Sequence, residues 1–266
     1  MSTSIRKLTD EEAGRLFQLY GDAEREILNE LNRGLLKGNE VRYLQTMLQN
    51  VQSILEDLST GSNEWCQDAI PWVYTDGVKT AETQLAGAGI AVSGGFGAIH
   101  QQAAQVLAES AYNRLKDVVQ FIGRRVQDVY REVAMEAVRG TVIGYKTWQQ
   151  ASRRILDDLA ERGVTGFKDS KGKHWNMRTY AEMVARTTTM EAHLQGTANR
   201  LLEYEQDLVK VTTHVNPCKW CEPWQGKILS LTGRSEGYPT IAEAKAKKLF
   251  HPNCRHAFGL YVPELA

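Results

Sequence analysis

Five cysteine and histidine residues near the C-terminus have the spacing of metal ligands. Cys218 and Cys221 form a Cys-x-x-Cys motif, which lets two thiolates converge on one ion from a tight turn. A second group further along the chain offers His251, Cys254 and His256. Zinc prefers four such sulfur and nitrogen donors in a tetrahedron. The pattern predicts a structural zinc site with the three cysteines among its ligands.

The fourth ligand of this predicted site is either His256 or His251. His256 follows Cys254 by two residues, so both side chains lie on the same face of an extended strand, and this favours His256. His251 directly precedes Pro252, whose ring restricts the backbone before it, and stays the alternative. His214, upstream of the motif, is expected to stand beside the ligands as a partner rather than bind the ion itself.

Two other interpretations of the cysteines stay open, namely redox chemistry and packing without a metal. A thioredoxin-like pair needs its motif at the start of a helix, and residues 222–226 cannot continue one. A disulfide within the motif would also leave Cys254 without a partner nearby in the sequence. Residues 206–266 contain few large apolar side chains, so a metal would stabilise a small core. A closed site with four ligands leaves no position for water, and the predicted role of zinc is structural.

A second polar group lies on one strip of a helix predicted over residues 176–205. Its charged members recur at helical spacing and are Glu182, Arg186, His193 and Arg200. A solvated helix face is the favoured interpretation, because charges at this spacing commonly pair without a further function. The structural alternative is that Arg186 pairs with Glu182 or with residues of the module that carries the predicted metal site. Catalysis is the third interpretation.

The elements around the cluster predict a small α+β module. Three apolar runs indicate strands of an antiparallel sheet at residues 208–214, 226–231 and 256–262. Thr240 can cap a short helix within residues 239–249, and turn chemistry indicates a hairpin within residues 167–175. We expect this module to position the cysteines and histidines.

The first 163 residues predict an α-helical domain, either a bundle or an arm. Apolar residues recur every three or four positions in five amphipathic segments, at residues 9–36, 41–58, 63–73, 98–139 and 147–162. Thr9 and Glu12 form a capping box at the first of them. Residues 59–62 are expected to end the second segment, and Pro71 to kink or restart the third.

Two features of this helical part bear on its organisation. Residues 86–97 are rich in glycine and predict a flexible hinge, since no strand precedes them and the third glycine of a dinucleotide-binding loop is absent. A stripe of β-branched residues favours packing in a bundle over a self-associating coiled coil: Val118, Ile122, Val126, Val129 and Val133. The pattern changes after Gly163, which predicts domains at residues 1–163 and 164–266.

The composition excludes several classes of protein. The 32 basic and 32 acidic residues balance, which argues against coating nucleic acid by bulk charge alone. No run of apolar residues is long enough to span a bilayer, so stable membrane insertion is not expected. The N-terminal residues lack the apolar core of a signal peptide. A reducing environment is therefore expected, and it favours thiolate–metal chemistry over disulfides.

Several linked motifs in the C-terminal part occur in a characteristic order. They are the segments 180–193, 207–211, 223–227, 231–233 and 249–256, together with His214 and the Cys-x-x-Cys motif. These motifs resemble the phage minor capsid protein 2 family, which is related to the head-morphogenesis proteins of tailed phages and to Mu F-like proteins. The resemblance is dense over residues 163–262, whereas the N-terminal part resembles the family only in length and helicity.

The resemblance implies a virion component encoded by a phage or prophage. Such proteins occur in few copies in the head, are associated with the portal and packaged DNA, and assist head assembly or DNA ejection. It further implies portal and other capsid proteins as partners, a multi-copy state in the particle, assembly in the host cytoplasm and no enzymatic activity. Related proteins often end in Cys-Arg-Cys where this chain has Cys254, Arg255 and His256, which favours His256 as a ligand.

Two alternative functions are kept. A metal-associated enzyme of phage origin, resembling a nuclease or an ADP-ribosyltransferase, would need a set of polar residues to converge in one pocket. That set comprises Arg186, Glu191, His193, His214 and His251. A zinc-stapled DNA-binding module would use the basic residues near the cluster to contact phosphates. These residues are Lys245, Lys247, Lys248 and Arg255.

Overall fold

The computed structural model describes the backbone of residues 2–37, 41–93, 95–143, 166–168, 172 and 174–265. Four long helices make up most of this part of the chain: α1 (Ser2–Lys37), α2 (Val41–Gly87), α3 (Ala98–Ile143) and α4 (Met177–Glu203). The helix predicted at residues 147–162 and the boundary predicted at Gly163 lie outside the described residues. No helix among the described residues has the length and apolar character needed to cross a membrane.

Short strands flank α4 on both sides, as the sequence predicts. A hairpin precedes it, formed by β1 (Phe167–Lys168) and β2 (His174–Trp175). The antiparallel sheet that follows has the order β4-β3-β5 and consists of β3 (Leu208–Val211), β4 (Ile228–Ser230) and β5 (Phe258–Leu260). Helix α5 (Ile241–Ala246) lies between β4 and β5 and begins at the predicted Thr240 capping box. The predicted fold class, mainly α with a small C-terminal α+β module, is confirmed.

Helix α1 begins at Ser2, so the capping box predicted at Thr9 and Glu12 is wrong. Inside the helix, Thr9 Oγ1 donates to the carbonyl oxygen of Arg6 at 3.0 Å. Glu12 Oε2 accepts a hydrogen bond from the indole nitrogen of Trp65, also at 3.0 Å. Both polar side chains are buried. They bind partners within the folded protein instead of the free N–H groups of a helix start.

Helix α2 is continuous through residues 59–62 and past Pro71, so the predicted end at residues 59–62 is wrong. Ser62 is fully buried there. Its Oγ lies 2.7 Å from the carbonyl oxygen of Leu58 and 3.2 Å from Oη of Tyr20. Serine weakens a helix because its hydroxyl competes for backbone groups, and here the hydroxyl is satisfied within the helix and by a tertiary neighbour.

The chain divides into two compact units assembled from distant segments. Unit 1 consists of Met1–Gly14, Trp65–Ala111 and Met183–Ala266, and unit 2 consists of Arg15–Glu64 and Tyr112–Glu182. In unit 2, Val118, Ile122 and Val126 of the predicted stripe are buried, as packing in a bundle requires. The side chains of Val129 and Val133 lie outside the described part of the chain.

The C-terminal sheet shares its core with the helices of unit 1. Val209 and Phe258 of the sheet belong to one apolar cluster with Leu85 of α2 and Leu194 and Leu201 of α4. Cys221 and Cys254 belong to the same cluster. The sheet is therefore stabilised by packing on α2 and α4 as well as by its own few apolar side chains.

The glycine-rich segment between Gly87 and Ala98 connects α2 to α3 within unit 1. Gly89 has a φ of +79°, a conformation that glycine adopts without strain. The backbone N–H of Ser93 donates to Oη of Tyr204 at 2.8 Å, which ties the segment to the residue that follows α4. The hinge motion of this segment stays a prediction.

Helices α2 and α4 approach each other closely at two glycines. A Cβ atom at Gly77 would lie 2.1 Å from the carbonyl oxygen of His193, and one at Gly196 would lie 2.2 Å from that of Tyr74. Thr197 Oγ1 donates to the carbonyl oxygen of Gly77 at 3.1 Å across the same contact. Because backbone lies against backbone, neither glycine has room for a side chain.

Asp207 ties the beginning of β3 to the loop after β4. Its carboxylate accepts hydrogen bonds from the hydroxyls of Ser230, Thr232 and Ser235 and from two backbone N–H groups, at 2.5 to 3.3 Å. Burial by itself would raise the pKa of this carboxyl group. The hydrogen bonds outweigh burial and hold the pKa of Asp207 well below its ordinary value.

We expect Asp207→Asn to lower the free energy of unfolding by about 2 kcal/mol at pH 7, because an amide cannot replace an acceptor of several charge-assisted hydrogen bonds. The folded-state pKa is depressed, so the stabilisation in the unsubstituted protein is present above the unfolded-state value of about 4 and is lost as the pH falls below it. Urea unfolding of both proteins between pH 7 and pH 3 measures this. A difference that does not shrink in acid would contradict the prediction.

Candidate metal centre

The Cys-x-x-Cys motif lies in a tight turn after β3. Asn216 begins the turn with a left-handed φ of 57°. The backbone N–H of Cys221 donates to the carbonyl oxygen of Cys218 at 3.0 Å, and a 3₁₀ helix, Glu222–Trp224, follows directly. The turn leaves Cys218 exposed and buries Cys221 completely.

The second half of the cluster lies between α5 and β5. The backbone N–H of Cys254 donates to the carbonyl oxygen of His251 at 2.8 Å and closes a turn. Thr212 fastens the segment to the end of β3: its N–H donates to the carbonyl oxygen of Ala257 at 2.9 Å, and its Oγ1 accepts from the N–H of Ala257 at 3.0 Å. These bonds hold the segment that contains Cys254 and His256 against the C-terminal end of β3, and both residues are buried.

The donor atoms form two groups that share Cys221. One group contains Cys218, Cys221 and His251, the other contains Cys221, Cys254 and His256, and the donor atoms within each group lie within 4.8 Å of one another. The Sγ atoms of Cys221 and Cys254 are 3.6 Å apart, and Cys254 Sγ is 3.6 Å from His256 Nδ1. Cys218 Sγ lies 3.1 Å from His251 Nε2. The fold thus gathers the other four candidate ligands around the buried sulfur of Cys221.

Gln225 orients the ring of His256. Its Oε1 accepts a hydrogen bond from the backbone N–H of His214 at 2.5 Å and lies 3.4 Å from His256 Nε2. A carbonyl oxygen can only accept, so we assign the proton to Nε2, and Nδ1 presents its lone pair to the sulfurs. Metal-binding histidines commonly donate their second N–H to such an acceptor. Burial, together with the nearby His214 and His251, lowers the pKa of His256 to about 4, which keeps the ring neutral near pH 7.

His251 also presents an unprotonated nitrogen to the cluster. Its Nδ1 lies 2.8 Å from the carbonyl oxygen of Pro252, which assigns the proton to Nδ1 and leaves Nε2 facing Cys218. The two histidines differ in burial, because His251 is only partly buried whereas His256 is 4% exposed. Both are in a tautomer that can bind a metal.

The thiols of the motif have opposite tendencies to ionise. Burial acts against ionisation of Cys218, but hydrogen bonds from the backbone N–H groups of Cys221 and Trp220 prevail and lower the pKa of Cys218 to about 7. Burial and the adjacent Cys254 raise the pKa of Cys221 above its ordinary value. A cation placed among the sulfurs would offset both effects at Cys221, because metal ions deprotonate the thiols that bind them.

The separations within the buried group fit a tetrahedral zinc ion. Zinc–sulfur bonds of about 2.3 Å and zinc–nitrogen bonds of about 2.0 Å place two sulfurs about 3.8 Å apart and a sulfur and a nitrogen about 3.5 Å apart. The two separations of 3.6 Å, Cys221 to Cys254 and Cys254 to His256, are close to these values. The 3.1 Å between Cys218 and His251 is shorter and corresponds to a hydrogen bond.

Two further residues contact the cluster, and one cysteine lies apart from it. The ring of His214 meets that of His256 edge to face, with 4.6 Å between centroids, and its Nε2 lies 3.2 Å from Oγ1 of Thr212. Gln225 was not predicted from the sequence, because the role of an amide after the motif becomes visible only when the fold places it beside His256. Cys66 is buried in α2 and belongs to neither group.

Residues of the α4 strip have partners on different helices. Arg186 Nη1 lies 2.7 Å from Asp10 of α1, and His193 Nδ1 lies 3.2 Å from Asp76 of α2. Glu182 belongs to unit 2, whereas the other three belong to unit 1. The side chain of His193 is 4% exposed, so the predicted solvated face is wrong for this residue.

Arg200 belongs to a buried polar network, so the solvated face is wrong for it as well. Its guanidinium nitrogens lie 2.6 Å from Glu82 and 2.7 Å from Glu203. His100 extends the network, with Nε2 2.9 Å from Glu203 and Nδ1 3.0 Å from Oη of Tyr74. The network joins α2, the start of α3 and α4. The charge of Arg200 can be buried because it has one carboxylate partner on α2 and another one turn away on α4, whereas Glu82 and Glu203 stay partly exposed.

The residues required by the enzymatic alternative do not meet in either of the two 610 Å³ cavities of the described structure. His193 lines one cavity of about 610 Å³, whereas Glu191 and His251 line another of about 610 Å³. Arg186 and His214 line neither of these two cavities. Neither cavity therefore brings the five residues together around one substrate position.

Comparison with known proteins extends the resemblance to the helical part of the chain. The family described as "Phage minor capsid protein 2" matches residues 6–266. A protein of Lactococcus phage LL-H described as "Structural protein" is 27% identical over 143 residues, which are 50% of this chain and 38% of that protein. The chain thus spans well under half the length of this relative. No solved structure matches the chain. The chain belongs to the phage minor capsid protein 2 family and is a structural component of a phage virion.

Proposed function

We propose that the protein is a minor component of the phage head that is associated with the portal and with packaged DNA and assists head assembly or DNA ejection. The family match over residues 6–266 carries this proposal. In it, several copies are incorporated while particles assemble in the host cytoplasm, and the portal and other capsid proteins are the partners. The role is structural rather than catalytic, and the dispersal of the polar residues over two cavities supports this.

We further propose that a structural zinc ion holds the C-terminal module, bound by Cys218, Cys221, Cys254 and His256. The arrangement of four other donors around the buried Cys221 supports this proposal. His256 is chosen over His251 because it is buried, is oriented by Gln225 and has a tetrahedral separation from Cys254. Zinc supplies a cross-link between two loops far apart in the sequence, and four ligands leave it no open position for a reaction.

The composition of purified particles tests the proposed place in the virion. We expect peptides of this chain in mature particles at a few copies for each portal, and recovery of the portal protein when the chain is captured from disrupted heads. Quantitative mass spectrometry of DNA-filled particles and of particles that have released their DNA measures both its presence and whether it leaves with the DNA. Absence of the chain from both kinds of particle would contradict the proposal.

A further inference from the structure

Four lysine side chains gather around two tryptophan rings on the surface of the zinc-binding turn. Nζ of Lys248 lies 4.0 Å and that of Lys219 lies 4.8 Å from the ring centroid of Trp220. Nζ of Lys227 lies 5.3 Å and that of Lys247 lies 5.9 Å from the ring centroid of Trp224. We call these four lysines and Trp220 the lysine–indole surface.

The fold holds these ammonium groups in place from three elements. Trp220 stands between the two cysteines of the motif, and Trp224 ends the 3₁₀ helix that follows it. Lys247 and Lys248 come directly after α5, and Lys227 precedes β4. An ammonium group is attracted to the face of an indole ring even at an exposed site. The positive charges are therefore partly ordered before any ligand arrives.

The charge of this surface is not neutralised within unit 1. In the part of the chain that the structure describes, none of the four ammonium groups forms an ion pair with a carboxylate. Glu222 is exposed in the same turn, and Glu243 of α5 is engaged in the capping box with Thr240. Residues 207–266 contain eight Lys and Arg against five Asp and Glu. The module thus carries a local positive charge in a chain whose total charge is zero.

The composition of the surface favours a nucleic acid over a protein partner. The cores of protein–protein interfaces are depleted in lysine, whereas the exposed groups here are mainly lysines. Repeated phosphates are the ligands that several separate ammonium groups bind together. Trp220 is 42% exposed, but two ammonium groups lie over its ring, which leaves little of its faces for stacking on unpaired bases.

We propose that the lysine–indole surface binds the phosphate backbone of double-stranded DNA without regard to sequence. This inference rests on the proposed function, because it names the surface by which a head component would contact packaged DNA. The lysines act as phosphate contacts, and the two indole rings position them. Because the contacts are electrostatic, affinity is expected to fall steeply as the salt concentration rises.

Fluorescence anisotropy with the zinc-loaded protein and a labelled mixed-sequence duplex tests the proposal. Four phosphate contacts predict a slope of about −3.6 for the logarithm of the binding constant against the logarithm of the salt concentration. That slope is about a 100-fold loss of affinity between 50 and 200 mM salt. Lys247→Gln combined with Lys248→Gln is expected to reduce the slope by about 2.

Two matched variants separate the surface from total charge and from folding. Lys116→Gln combined with Lys210→Gln removes the same charge from exposed lysines outside the surface, and we expect it to leave the slope unchanged. Lys247→Arg combined with Lys248→Arg keeps both charges and is expected to retain binding. The zinc content and thermal unfolding of every variant establish that it is folded.

Several results would overturn the inference while leaving the place in the virion intact. These are no binding to the duplex at 50 mM salt, an equal loss of slope in both glutamine variants, or poly-glutamate competing as well as DNA at equal charge. A single strand bound at least tenfold more tightly than the duplex would also overturn it, since that result requires contacts to unpaired bases. Absence of the chain from particles, by contrast, would refute the proposed function without bearing on the measured binding.

Discussion

Cys254→Ser is expected to abolish the proposed stoichiometric zinc binding and to unfold the Cys-x-x-Cys turn and the C-terminal sheet. Structural zinc contributes on the order of 10 kcal/mol of folding free energy in small modules, and serine is a poor substitute for a thiolate. Cys254 is buried, and its Sγ lies within 4.8 Å of two other donor atoms. Loss of this thiol therefore breaks the link between the Cys-x-x-Cys turn and the segment between α5 and β5. Metal analysis together with hydrogen exchange of residues 208–260 measures the effect.

The expected unfolding is confined to unit 1, because Cys254 and the three strands all belong to that unit. We expect fast exchange in β3, β4 and β5 while the helices of unit 2 keep their protection, and we expect fewer copies in assembled particles. Treatment with a strong chelator should reproduce the same exchange pattern in the unsubstituted protein. Protein purified without chelator that contains no zinc would contradict the centre altogether.

Cys66→Ser is the matched control for the loss of a buried thiol. Cys66 is as deeply buried as Cys221, and burial raises the pKa of its thiol to about 12, but it belongs to neither group of donors. The control should therefore keep its zinc. Alanine at His256 should lower zinc occupancy more than alanine at His251; the reverse order would reassign the fourth ligand.

Gly196→Ala is expected to destabilise the protein by about 3 kcal/mol or more, and to lower the melting temperature by about 10 °C. The added methyl group would lie 2.2 Å from the carbonyl oxygen of Tyr74, which belongs to the backbone of α2. A flexible side chain could move aside, but two packed helices can relieve this contact only by separating. Calorimetry of the purified variant measures the shift.

Gly14→Ala is the matched control for this prediction. Gly14 is an exposed residue within α1, and a Cβ atom there would meet nothing within 4 Å. Alanine is the better helix former by about 1 kcal/mol, so the control is expected to be as stable as the unsubstituted protein or more so. Gly77→Ala should behave like Gly196→Ala, since its methyl group would lie 2.1 Å from the carbonyl oxygen of His193. Similar small effects at all three positions would contradict the close helix contact.

The helices and strands were largely predictable because each depends on nearby residues. Asn176 does cap α4, with its Oδ1 accepting from the backbone N–H of Arg178, and Thr240 does cap α5. The prediction failed at Thr9 and at residues 59–62, where polar side chains suggested a helix end. In both places the hydroxyls have partners within the helix or the folded core, and a local pattern contains no information about those partners.

All five candidate ligands were predicted from the sequence alone, because thiolate and imidazole groups at these spacings are typical of metal sites. The family resemblance likewise depended only on motifs and their order. Tertiary structure decided which acidic residues pair with the α4 strip, since Asp10, Asp76 and Glu82 lie on helices more than a hundred residues away in the sequence. It also brought Gln225 to His256. Contacts between distant segments produce no periodic pattern in the sequence. Only the folded structure therefore shows that His193 and Arg200, which were expected in solvent, are buried.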